Sequence, residues 1–83
     1  MIGLNQTEIG GKKLEQTLQI SLAAARVNAK MTQEDVATKM KIGKRTIINW
    51  EKGAAVPSFA DLSMLSSIYG IPVDNIFLPK KST

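Results

Sequence analysis

The chain has 83 residues, 43% apolar and 22% charged, with a formal net charge of +4. That is enough for one small domain, which buries only about 60% of its unfolded surface, and it is not the composition of a disordered segment. Neither cysteine nor histidine occurs, which excludes disulfides, thiolate chemistry, the usual zinc sites and catalysis by a Ser–His or Cys–His pair.

Met1 to Gly11 is weakly patterned and ends in a Gly pair; residues 1–11 read as a flexible arm whose Ile2, Leu4 and Ile9 could dock elsewhere. It lacks the basic-then-apolar order of a secretory signal, and no apolar run reaches transmembrane length, so a cytoplasmic location and no membrane contact are expected. A domain is expected over 12–79, followed by a polar tail, 80–83. Its first helix is predicted from Lys12 to Ala29, because Leu14, Leu18, Leu22 and Ala25 recur at helical spacing and Ala23-Ala24-Ala25 has high helix propensity. Arg26 lies beside that stripe.

Met31 to Gly53 reads as two short helices with a tight turn. Thr32 is placed to cap the first, with Asp35 as the reciprocal partner of a capping box. Val36, Ala37 and Met40 form its inner face. After a break at Lys41-Ile42-Gly43, Ile47 and Trp50 share the inner face of the second helix, which Gly53 ends. Spacing assigns Trp50 to the core and not to base stacking. Lys44 and Arg45 stand in this helix's first turn, where cations oppose the positive end of the macrodipole. An isolated Lys-Arg pair is usually a solvated face. Here the cations make physical sense if that end points at an anion.

After the loop Ala54 to Pro57, Ser58 and Asp61 predict another capping box. Phe59, Leu62, Leu65, Ser66 and Tyr69 are expected on the inner face of this helix, which ends at Gly70. Pro72 breaks the chain, and a short fifth helix is predicted from Val73 to Leu78, with Ile76 and Phe77 inward. The expected core is Leu18, Leu22, Ala25, Val36, Ala37, Met40, Ile47, Trp50, Leu62, Leu65, Ile68, Ile76 and Phe77, in an all-α bundle of five short helices.

Met31-Thr32-Gln33-Glu34-Asp35-Val36-Ala37 and Thr46-Ile47-Ile48-Asn49-Trp50-Glu51-Lys52-Gly53, with Pro57-Ser58-Phe59 and Tyr69 to Asp74 in register, resemble the Cro/CI-type helix-turn-helix domain (the xenobiotic-response-element family). The resemblance covers residues 18 to 78 and implies a lambda-repressor-like fold. It departs at Lys30 and Lys41, where the family usually has Gly; a left-handed conformation there would cost each Lys roughly 1–2 kcal/mol.

The resemblance implies an ion pair between Arg26 and Glu51, with Arg26 also open to a phosphate. It implies a helix 44–52 that reads the DNA major groove. Lys44, Arg45 and Asn49 would contact bases, Arg45 suiting guanine and Asn49 adenine, while Ile48 would meet a thymine methyl or pack against the loop. Gln33, Thr46, Lys52 and Lys41 would contact phosphates. The expected function is sequence-specific transcriptional regulation by a repressor of prokaryotic or phage type, not an enzyme. The partners would be double-stranded DNA and a second copy of the chain, with no cofactor. For the dimer surface, Ile76 to Pro79 is the first candidate, with Leu78 left over, and the arm is the second. The alternative is a protein-interaction module on the same scaffold, such as an antitoxin or a coactivator-like adaptor.

Overall fold

The computed structural model describes residues 19–79. The arm 1–11, the segment 12–18 with Leu14 and Leu18, and the tail 80–83 lie outside the described residues. The elements are β1 (Ile20–Ser21), α1 (Leu22–Asn28), α2 (Gln33–Met40), α3 (Lys44–Lys52), α4 (Phe59–Tyr69), a 3-10 turn (Val73–Asn75) and β2 (Ile76–Phe77). The domain is mostly helical among the described residues, with four helices where five were expected. Among the described residues no helix is long and apolar enough to cross a membrane.

Two of the predicted helices are corrected, and one contact causes both corrections. Ile20 and Ser21 are extended and pair in parallel with Ile76 and Phe77, so no continuous helix runs from Lys12 to Ala29. The helix starts at Leu22 because Ser21 caps it: its hydroxyl accepts the Ala24 amide at 3.1 Å. At the other end, the predicted helix from Val73 to Leu78 is a single 3-10 turn followed by β2. Strand alternation then buries Ile76 and turns Phe77 outward, 49% exposed, against the expectation that both point inward. Leu78, expected to be left over, is partly buried against the core.

Local chemistry sets the remaining boundaries. Thr32 and Asp35 make both bonds of the predicted capping box, at 3.0 and 2.8 Å. Ser58 and Asp61 do the same at 3.1 and 3.4 Å. Gly53 and Gly70 end α3 and α4 in left-handed geometry, φ 81° and 71°. Lys30 and Lys41 hold the equivalent positions after α1 and α2, each with φ 60°. Both turns keep the geometry that Gly would adopt, since Met31 N donates to Arg26 O (3.2 Å) and Ile42 N to Ala37 O (3.0 Å).

The core is Leu22, Ala25, Val36, Ala37, Ile47, Trp50, Leu65, Tyr69 and Ile76, with Met40, Leu62 and Ile68 among the partly buried residues around it. Ala25 and Val36 are completely buried. The small and branched side chains of Ala37 and Val36 let α2 and α3 approach closely. Phe59 is not part of the inner face. As the first residue of α4 it stands 76% exposed, while Leu65 and Tyr69, farther along the helix, reach the core.

Candidate nucleic-acid interface

α2 and α3 are joined by three residues, 41–43, and pack against each other through Val36, Ala37, Ile47 and Trp50. With Ile47 and Trp50 inward, the ~100° step per residue puts Lys44, Arg45, Ile48, Asn49 and Lys52 on the outer half of α3. Lys44, Arg45 and Lys52 are exposed, and Ile48 and Asn49 are half-buried. Thr46 is half-buried, at the edge of this face, and Lys41 is exposed in the turn before the helix. The first turn of α3 holds no acidic residue, and its N-cap, Gly43, supplies no side-chain oxygen. At ~1.5 Å per residue this nine-residue helix is roughly 13 Å long, short enough to lie within one major groove.

The one carboxylate of α3, Glu51, is turned away from that face. Arg26 Nε donates to its Oε2 at 2.7 Å and Arg26 Nη2 to its Oε1 at 3.3 Å, with only 15% and 8% of the two side chains exposed. The expected ion pair therefore forms, and it is bidentate. Arg26 Nη1 also donates to the Met31 carbonyl at 3.0 Å. The pair ties α1 to the last turn of α3 and to the turn that leads into α2. The bond to Glu51 raises the Arg26 pKa above its ordinary value, against the opposing effect of burial. Buried Tyr69 lies close enough for its phenol to be pushed up to about 12, first by burial and then by the Glu51 charge, with Arg26 opposing.

With Glu51 turned away, the charges on the outer face are all positive, beside the Asn49 amide and the apolar Ile48. Among the described residues Lys41, Lys44, Arg45 and Lys52 take part in no ion pair, and the Asn49 side chain has no protein partner. Gln33, expected at a phosphate, is also tied into the fold: its Nε2 donates to Glu51 Oε1 at 3.0 Å. Sequence reasoning missed this bond. Gln33 and Glu51 are far apart in the chain, and no periodicity relates them. Beside Gln33 lies an open cleft of about 440 Å³, lined by Arg26, Met31, Thr32, Gln33, Glu34 and Lys44. It brings the start of α2 and the start of α3 to the same side of the molecule.

Two helices locked at a three-residue turn, the second with a cationic outer face, make a helix-turn-helix unit. The chain belongs to the helix-turn-helix family, in its Cro/CI form: the family profile matches residues 22–76, the span from the start of α1 to β2. It is a family of DNA-binding transcription regulators. The chain is 35% identical over 48 residues to the cryptic phage CTXphi transcriptional repressor RstR of Vibrio cholerae, a match covering 58% of this chain and 43% of that protein. It is also 35% identical over 48 residues to an uncharacterized HTH-type transcriptional regulator of Methanocaldococcus jannaschii, covering 58% of this chain and 73% of that one. The match thus spans less than half the length of the Vibrio relative. No solved structure matches the chain significantly.

Proposed function

We propose that the chain is a sequence-specific DNA-binding transcriptional regulator, a repressor of prokaryotic or phage type, that lays α3 in the major groove. The observation that carries this reading is the outer face of α3, where Lys44, Arg45 and Lys52 stand exposed and, among the described residues, without an ion pair, while Glu51 is drawn inward by Arg26. Arg45 reads guanine and Asn49 adenine, with Lys44 beside them and Ile48 against a thymine methyl. Thr46, Lys52, Lys41 and Gln33 hold phosphates, which set register and affinity but not sequence. The names of the Vibrio and Methanocaldococcus relatives support regulation of transcription, and the Vibrio one supports repression. The working compartment would be the cytoplasm.

One such helix reads only a few base pairs, so the functional unit we propose is a homodimer on two half-sites about 34–36 Å apart. Exposed Phe77 replaces Leu78 as the first candidate for its contact surface. So small an apolar surface favours a dimer formed mainly on DNA.

The test is selection from a random duplex pool, followed by binding of variants. A palindromic consensus is expected, with Arg45→Ala losing about 1–3 kcal/mol on it and little on random duplex. Lys52→Ala should weaken both alike. An adaptor module would return no consensus, and a one-to-one complex on a non-palindromic site would refute the dimer.

A further inference from the structure

Glu51 accepts more than an ion pair needs. Its two oxygens are already engaged by the Arg26 fork, and Oε1 accepts a third bond, from Gln33 at the first position of α2. An ionised carboxylate offers no donor, so the Gln33 amide must face it with nitrogen and direct its oxygen elsewhere. One of the two amide hydrogens is used; the second is left over. Gln33 is only half-buried and forms part of the wall of the cleft shared with Lys44, at the end of α2 that adjoins the reading helix. A glutamine on a helix surface ordinarily samples many rotamers, and this one is held by a carboxylate that is itself held by Arg26. The clamp also runs through the backbone: Arg26 Nη1 donates to Met31 O, two residues before Gln33.

We propose that Glu51 is a positioning residue for DNA binding: it fixes the Gln33 amide in one orientation, so that the remaining N–H is presented to a backbone phosphate without first being ordered. The proposal rests on the DNA-binding reading above and gives the buried end of the recognition helix a part in phosphate contact. The Arg26–Glu51 pair then has two separable roles. One is holding three helices together. The other is delivering the Gln33 donor, and only this second role passes through Gln33.

A double-mutant cycle on DNA affinity separates the two. Glu51→Gln, Gln33→Ala and the double variant are measured on a selected and a random duplex, at a temperature where the emission of the single Trp shows all of them folded. Glu51→Gln is expected to weaken both duplexes about 2- to 12-fold, the range for releasing one immobilised side chain. It should have no further effect in the Gln33→Ala background. The salt dependence should keep its slope, since no cation is lost. In the free protein, the Gln33 Nε2 proton bonded to Glu51 should be shifted downfield and the side-chain amide should relax as a rigid group, and both signatures should diminish in Glu51→Gln. If Glu51→Gln does not fold, Glu51→Asp keeps the charge for Arg26 but draws the carboxylate back, and it serves the same comparison. Additive losses, or a Gln33 amide that is already mobile in the unsubstituted protein, overturn the proposal and leave the DNA reading standing. Failure of the unsubstituted protein to bind any duplex overturns both.

Discussion

Removing the Glu51 carboxylate should be among the most damaging single changes outside the apolar core. An exposed ion pair is worth about 0–1 kcal/mol, whereas breaking a buried one costs about 3–5 kcal/mol, because the surviving charge stays desolvated. Arg26 and Glu51 are 15% and 8% exposed, which puts them near the buried limit. Arg26 keeps one bond, to the Met31 carbonyl at 3.0 Å, when its partner is gone. The expected cost of Glu51→Ala is therefore about 2–4 kcal/mol. A domain of this size has a total stability of about 4–12 kcal/mol, so a large fraction is lost. The melting temperature should fall by roughly 10–25 °C. Arg26→Met with Glu51→Leu, which removes both charges and fills the space, should recover most of the loss. Thermal and urea unfolding of the four proteins, followed by the single Trp, gives the coupling energy. Two small, additive losses would refute the reasoning, since they would mean the side chains do not depend on each other in solution.

Relieving the left-handed lysine in Lys41→Gly should stabilise the domain by roughly 0.5–1 kcal/mol, the strain released less the extra entropy of an unfolded glycine. Binding to all duplexes should weaken at the same time, and a less stable variant would argue against strain at φ 60°. The phenol of Tyr69 is pushed up from 10.0 to about 12, so its contribution to stability is fully present below pH 10.0 and is lost as the pH rises through the folded value. As the chain has a single tyrosine, ultraviolet titration of the native and urea-unfolded protein reads this directly, and coincident curves would exclude it. Asp35 is held below its ordinary 3.8 mainly by the Thr32 backbone amide. The stability it contributes is present above that value and is lost as the pH falls through the lower folded one. Asp35→Asn should flatten the acid limb of the melting profile, and an unchanged slope would mean that the capping box does not hold in solution.

Features that depend on neighbours within four residues were determined by the sequence itself. The two capping boxes, the glycine stops at Gly53 and Gly70, the inward Ile47 and Trp50 and the outward Lys44, Arg45 and Asn49 follow from hydroxyl and carboxylate chemistry and from helical periodicity. The left-handed lysines were legible as departures from a family pattern, and the Arg26–Glu51 pair as a correspondence with one. Tertiary structure decided what depends on residues distant in the chain. Ile20 and Ser21 look helical in their own neighbourhood, and only pairing with Ile76 and Phe77 makes both segments extended. That pairing turns Phe77 outward and ends the predicted fifth helix. Gln33 could equally have been a free side chain, until the fold brought the carboxylate of residue 51 within 3.0 Å of its amide. Hydrogen bonds across long sequence separations leave no periodic trace, because each depends on where separate helices are packed and not on the spacing along any one of them.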